Sequence, residues 1–119
     1  MPVPSHAVHY LEIVTPDVAA VCAMYRATHG WRFEEVPALG GAFVAELPDG
    51  SRCGIRAPLR ASEAPVVRPY VRVDDLGLAV RAAAAAGATI ALDGMELPGH
   101  GTIAIYLLGG IEFGLWQVP

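Results

Sequence analysis

The feature that most constrains this chain is an internal repeat, because a repeated segment implies a repeated structural unit. Strand-like "YLEIVTPDV" matches "RPYVRVDDL" when Asp17 is aligned with Asp75. Further along, "AFVAELPDGSRCGIRAP" matches "TIAIYLLGGIEFGLWQV" at a constant offset of 60 residues, which aligns Gly54 with Gly114. Each half therefore reads as β-α-β-β-β, and we predict two copies of one module.

The helices of the two modules are expected at matching places. Apolar residues spaced as on one helical face predict a helix from Val18 to His29 and a second one from Leu76 to Ala86. Gly30 and Gly87 follow them as helix stops. The strands "WRFEEV" and "ATIALD" are expected next. Trp31 and Phe33 alternate with a polar residue, so we interpret them as core.

Residues 1–119 are predicted to form a single domain, with module one at about 7–58 and module two at about 66–119. The intervening "PLRASEAPVVRP" is rich in proline and small polar residues, which is typical of a joint. A second loop is expected at "GMELPGHG", from Gly94 to Gly101, opposite "VPALGG" in module one. Loops of this kind commonly contact ligands, and His100 is a candidate there.

Length and charge exclude several classes of protein. A chain of 119 residues suits one domain. Its net charge of -4 offers no basic field, so we expect neither nucleic acid nor a membrane surface as partner. Without a leader or an apolar run of about 20 residues, the protein is expected to be cytoplasmic. Cys22 and Cys53 fall inside a predicted helix and strand, as core thiols do.

Two such modules, opening with "LEIVTPDV" and "VRVDDL" and closing with "GLWQ", resemble the glyoxalase/bleomycin-resistance/extradiol-dioxygenase superfamily, also called vicinal oxygen chelate proteins. The resemblance covers essentially the whole chain. It implies an α+β fold in which the strands form a curved, incomplete barrel, or cup, with the helices outside. It also implies that metal-dependent relatives hold a divalent ion in the cup, with His, Glu or Gln ligands on the first and last strand of each module.

Strand alternation predicts which side chains line the cup. Leu11 and Ile13 suit packing under a helix, which leaves Tyr10 and Glu12 for the cup. His9 then falls on the helix side, near the rim. The same parity in the other strands gives the remaining predicted ligand-binding residues, namely Arg52, Arg56, Arg68, Tyr70, Arg72 and Trp116, together with Glu112 as a lining carboxylate.

The residues at the family's metal positions argue against a metal site. These positions carry Tyr10, Gly54, Arg68 and Gly114. Two glycines supply no side-chain donor, and an arginine repels a cation. The four histidines share no ligand spacing. We therefore expect no metal and no cofactor, and the glycines are expected to enlarge the cup.

Arginine and aromatic side chains favour a planar or anionic small molecule. The leading hypothesis is a metal-free binder resembling the drug-sequestering bleomycin-resistance branch. Related proteins pair their modules within one chain or between two chains, and we expect a homodimer. An enzyme remains the alternative, a lyase, isomerase or dioxygenase that is metal-dependent or has Glu12 or Glu112 as general base. A third hypothesis is a module whose cup is filled by side chains. The cup-lining charges also have an explanation without a ligand, in which Arg52 or Arg72 forms an ion pair with Glu12 or Glu112.

Overall fold

A computed structural model describes residues 3–119, which form an α+β fold of two β-α-β-β-β modules. The expected fold class is therefore confirmed. The elements of module one are β1 (Val8–Val14), α1 (Val18–His29), β2 (Glu34–Val36), a 3-10 turn (Pro37–Leu39), β3 (Ala42–Glu46) and β4 (Arg52–Arg56). Those of module two are β5 (Val66–Arg72), α2 (Leu76–Ala85), β6 (Thr89–Leu97), β7 (Gly101–Leu108) and β8 (Ile111–Gln117).

Both helices begin at the aspartates that the repeat aligned. The Asp17 carboxylate accepts a hydrogen bond from the backbone N–H of Ala20 at 3.2 Å, and Asp75 accepts one from Leu78 at 3.0 Å. Each carboxylate thus satisfies a donor that the first helical turn leaves unpaired. Helix α1 ends at Gly30, whose φ of 71° is left-handed. The repeat therefore extends to equivalent hydrogen bonds.

Module one has the strand order β2-β3-β4-β1, with β1 and β4 parallel and the other neighbours antiparallel. Helix α1 covers β1 and β4. Its Cys22 packs in a cluster with Ile13, Cys53 and Ile55, each at most 7% exposed. Leu11 packs against this cluster. The predicted burial of both cysteines is confirmed, and both are free thiols.

Module two repeats the arrangement in the order β5-β8-β7-β6. Helix α2 packs Leu76 and Val80 onto Val73, Ala104 and Leu115. The small alanine side chains of α2 suit close contact with the sheet and favour the helix itself. One face of each module is therefore covered by its own helix.

Helix α2 ends at Ala85, one residue before the expected end, and two other boundaries differ by more. The strand expected over "WRFEEV" is limited to Glu34–Val36, because the ring of Trp31 stacks on Tyr25 at the end of α1 with centroids 4.7 Å apart. Phe33 packs against the α1 cluster, so both aromatics are core, but outside a strand. The loop expected from Gly94 is also shorter. Strand β6 continues to Leu97, because bulges absorb the glycine, whose φ is 106°.

The backbone divides into two compact units, residues 10–67 and residues 3–9 with 68–119. The N-terminal segment thus belongs with module two. His6 donates its backbone N–H to the carbonyl of Arg72, and Arg72 donates its own to the carbonyl of Ala7 at 2.9 Å. Ser5 also hydrogen-bonds Asp74. Among residues 3–119, no helix is both long and apolar enough to cross a membrane.

Candidate functional site

Each module has one sheet surface opposite its helix, called here its helix-free face. In module one this face carries Tyr10, Glu12, Arg52, Gly54 and Arg56, and in module two it carries Arg68, Tyr70, Arg72, Glu112, Gly114 and Trp116. Strand register produces the grouping, because Glu12 lies beside Gly54 and Tyr70 beside Gly114. The structure therefore places all eight predicted binding residues on the faces that alternation assigned to them.

Arg56 is the most strongly held charge of module one. Its Nε donates to Glu12 at 2.9 Å, while its two terminal nitrogens donate to the two oxygens of Glu63 at 2.9 and 2.8 Å. Arg56 is 8% exposed. Hydrogen bonding to Glu63, followed by the charge of Glu12, raises the pKa of Arg56 above its already high ordinary value. This guanidinium is occupied by the protein's own carboxylates.

Glu63 is a partner of Arg56 that the sequence did not indicate. It lies in the segment interpreted as a joint, seven residues after its partner. The same carboxylate also accepts the backbone N–H of Leu59 at 2.7 Å, so it closes the joint onto module one. A single glutamate among prolines and small residues carries no periodic signal.

Arg52 and Arg68 contact carboxylates in different surroundings. Arg52 lies 3.4 Å from Glu46, and both side chains are exposed, at 38% and 80%. A pair of that kind contributes about 0 to 1 kcal/mol. Arg68 is 5% exposed and donates to Glu112 at 2.8 Å. The carboxylates Glu12 and Glu112 are thus paired with arginines, but with Arg56 and Arg68 rather than with the two arginines suggested by the sequence.

Arg72 differs from the other three predicted binding arginines. One terminal nitrogen donates to the carbonyl of Val3 at 2.6 Å. Its Nε is buried without a hydrogen-bond partner, and within residues 3–119 no carboxylate oxygen lies within 4.0 Å of its guanidinium. A buried donor without an acceptor is costly, by about 1 to 3 kcal/mol. Arg72 therefore offers a positive charge and a donor that an anion could satisfy.

Three aromatic rings lie on the same side of module two as Arg72. Trp116, the neighbour of Arg72 in the strand register, packs edge-on against Tyr70 with centroids 5.5 Å apart. It packs edge-on against His9 at 5.4 Å. The expectation that His9 falls on the helix side is wrong, because its ring packs against Trp116 of the helix-free face and residues 3–9 group with module two. His100 contributes its backbone carbonyl, which accepts the indole N–H of Trp116 at 2.7 Å.

The two glycines do not enlarge the space around them, contrary to expectation. A methyl group placed on Gly54 would overlap the phenol oxygen of Tyr10, and one on Gly114 would meet Cγ of Tyr70 at 2.6 Å. Each glycine is needed because a tyrosine ring lies where its side chain would project. The tyrosines, with 4% and 3% exposure, are themselves covered by protein.

The donor set does not fit the divalent ion that the resemblance implies for metal-dependent relatives. At the corresponding positions, module one supplies a phenol and a glycine, and module two supplies Arg68 and a glycine. Elsewhere between residues 3 and 119 there is no group of three or more His, Cys, Asp or Glu side chains suited to a metal ion. Divalent ions need several such donors at about 2 Å. The residues present do not support a step through a bound metal.

The fold is similar to that of solved structures of other proteins. The methylmalonyl-CoA epimerase of Mycobacterium tuberculosis is similar over 100% of this chain and 93% of its own, with 17% identity and a TM-score of 0.75. The hypothetical protein BH1468 of Bacillus halodurans C-125 is similar over 94% of both chains, with 12% identity and a TM-score of 0.74.

A third similar structure is a variant methylmalonyl-CoA epimerase of Streptomyces coelicolor in complex with 2-nitronate-propionyl-CoA. It has 18% identity and a TM-score of 0.66, over 97% of this chain and 99% of its own. No protein-family model matches the sequence, and a comparison with curated proteins finds no match. At these identities the similarity establishes the fold alone.

Proposed function

We propose that this protein binds a small organic anion with a flat apolar part, without a metal ion, on the helix-free face of module two. The observation that carries the proposal is Arg72, the predicted binding arginine that has no carboxylate oxygen within 4.0 Å among residues 3–119. A carboxylate or phosphate ester would satisfy its Nε. The neighbouring ring of Trp116 would supply an apolar contact for the rest of the ligand.

The ligand must displace side chains to reach this charge. Trp116 and Tyr70 are 4% and 3% exposed, and Arg72 Nε is buried. Binding therefore selects a conformation in which part of this packing opens, and the opening lowers the apparent affinity. The superfamily fold supports a small-molecule ligand, since similar structures are complexes with methylmalonyl-CoA and 2-nitronate-propionyl-CoA. The proposal includes the cytoplasmic location and homodimer expected from the sequence; light scattering that gives a monomer would remove the dimer.

The test is a titration with benzoate and phenyl phosphate, with neutral benzamide as the matched ligand. Heat release and indole fluorescence are followed in the wild type, in Arg72→Gln and in Arg60→Gln, which removes an exposed arginine of the joint. We expect saturable binding of an anion that Arg72→Gln weakens at least tenfold and Arg60→Gln leaves unchanged. Binding of benzamide as tight as that of the anions, or an equal loss of affinity in both variants, would contradict the proposal. No binding of any of these ligands would favour the hypothesis that side chains fill the cup.

The metal-free part of the proposal has a separate test. The protein is purified without chelator, exposed in turn to Ni, Zn, Mn and Fe(II), and analysed for bound metal by mass spectrometry. We expect no stoichiometric retention, because the four positions offer no imidazole or carboxylate. Retention of one ion per chain would show that other donors assemble a site and would move the protein to the metalloenzymes.

A second candidate function is metal-independent proton transfer at Glu112. Arg68 holds one oxygen of this carboxylate, and the side chain is 40% exposed, so its other oxygen is accessible to a substrate. The test is incubation with methylmalonyl-CoA in deuterium oxide, in which abstraction and return at the α-carbon replace its hydrogen by deuterium. Deuterium exchange that Glu112→Gln abolishes would establish that the protein catalyses proton transfer. The absence of exchange would leave ligand binding as the proposed function.

A further inference from the structure

A groove of about 500 Å³ lies on the helix-covered face of module one, between α1 and the outer strands. It is lined by Val18, Ala19, Cys22, Arg26, Phe33 and Phe43. Three of these residues, Val18, Cys22 and Arg26, recur every four positions and form one stripe of α1. The volume is within the range of small-molecule pockets.

The groove follows from the width of a helix relative to the sheet. A helix with side chains is about 10 Å across and neighbouring strands lie about 4.8 Å apart, so one helix covers about two strands. Helix α1 covers β1 and β4, whose Ile13 and Ile55 are buried beneath it. Phe43 pairs with Ile55 in the register and projects from the same face, but β3 lies beyond the helix. Phe43 is consequently 38% exposed.

The charge of the groove is set by Arg26. Its guanidinium has no carboxylate oxygen within 4.0 Å among residues 3–119, whereas the arginines of the helix-free face of module one are paired. The other lining side chains are apolar apart from the thiol of Cys22. That thiol is 6% exposed and burial raises its pKa, so it serves as a wall and not as a nucleophile.

We propose that this groove binds an organic acid with an apolar body, whose carboxylate pairs with Arg26 while its hydrocarbon part lies between α1 and the rings of Phe33 and Phe43. The apolar walls favour burial of the hydrocarbon by about 25 cal/mol per Å². The unpaired cation selects the acid over a neutral analogue. The site is independent of the function proposed above, because it lies on the helix-covered face of the other module.

The experiment is an NMR titration of isotope-labelled protein with octanoate, and with 1-octanol as the neutral matched ligand. We expect octanoate to shift the resonances of Val18, Ala19 and Phe43, with saturation. Arg26→Gln should weaken octanoate about threefold to fivefold, as expected for an exposed ion pair, and leave octanol unchanged. Arg32→Gln removes an exposed arginine outside the groove and should bind both ligands as the wild type does.

A second variant blocks the groove instead of removing its charge. Ala19 is exposed on α1, so Ala19→Trp fills the space without disturbing the core and should abolish the shifts at Val18 and Phe43. An unchanged affinity in this variant or in Arg26→Gln would overturn the proposal. Shifts confined to His9 and Trp116 would also overturn it and would instead support the module-two site.

Discussion

In both modules a tyrosine ring occupies the space beside the last-strand glycine, but the two tyrosines come from different positions of the repeat. In module one, the phenol tip of Tyr10 covers Gly54 of the last strand. Gly54 pairs with Glu12 in the strand register, so Tyr10 lies two residues before that partner. In module two, the ring of Tyr70 lies directly across from Gly114 and packs on it with its inner atoms. The paired tyrosines are therefore not equivalent in the repeat, although the glycines are. A repeat can preserve the space that must be filled while the residue that fills it changes.

The modules also differ in how they hold a buried arginine. Arg56 lies between two carboxylates whose side chains are 14% and 18% exposed, and Arg68 meets Glu112, which is 40% exposed. The first arrangement is closed by a residue of the joint, whereas the second has its carboxylate at the surface. Module one thus has the more enclosed ionic cluster, and module two has Arg72, whose buried Nε has no hydrogen-bond partner among the described residues.

The largest expected effect is the loss of that enclosed cluster. Arg56→Met removes the buried cation that lies between Glu12 and Glu63, so the free energy of unfolding should fall by about 3 to 5 kcal/mol. Arg68→Met leaves a carboxylate that water can reach, and a smaller loss of about 1 to 2 kcal/mol is expected. Urea denaturation of both variants measures the difference. Equal losses would show that the modules hold their arginines equally tightly.

The second prediction compares the glycines. Gly114→Ala places a methyl group against the inner ring atoms of Tyr70, which cannot move without the strand, and should cost about 3 kcal/mol. Gly54→Ala meets only the tip of Tyr10 and should cost about 1 to 2 kcal/mol. Thermal or urea unfolding provides the values. Adding Tyr70→Leu to Gly114→Ala should recover part of the stability, and no recovery would mean that the strain lies elsewhere.

These contacts mark where sequence reasoning succeeded and where it could not. Alternation placed Glu12 and Arg56 on one face, because strand geometry is local. It could not identify Glu63 or the carbonyl of Val3 as partners, because those contacts join segments distant in sequence or lie in a loop. The glycines were interpreted as empty space because a missing side chain says nothing about which neighbour occupies its place.

The helix caps should behave alike in both modules. Asp17→Ala and Asp75→Ala each remove the acceptor for one N–H of the first turn, so each should lower the free energy of unfolding by about 1 kcal/mol. Asparagine at either position keeps the acceptor and is the matched control. Denaturant unfolding tests the pair. A loss in one module only would show that the repeat is equivalent in sequence but not in energy.

The last effect is confined to alkaline pH and concerns a thiol of module one that has no counterpart in module two. Burial raises the pKa of Cys53 to about 11 from an ordinary 9.0, so the folded protein keeps its proton where the unfolded chain loses it. Stability is fully present below pH 9 and falls as the pH rises towards 11, because the unfolded chain then binds fewer protons. Cys53→Ala should flatten this alkaline slope, at the expense of a small cavity. Urea midpoints at pH 8 and pH 10.5 check it, and an unchanged slope would show that other groups carry the alkaline loss.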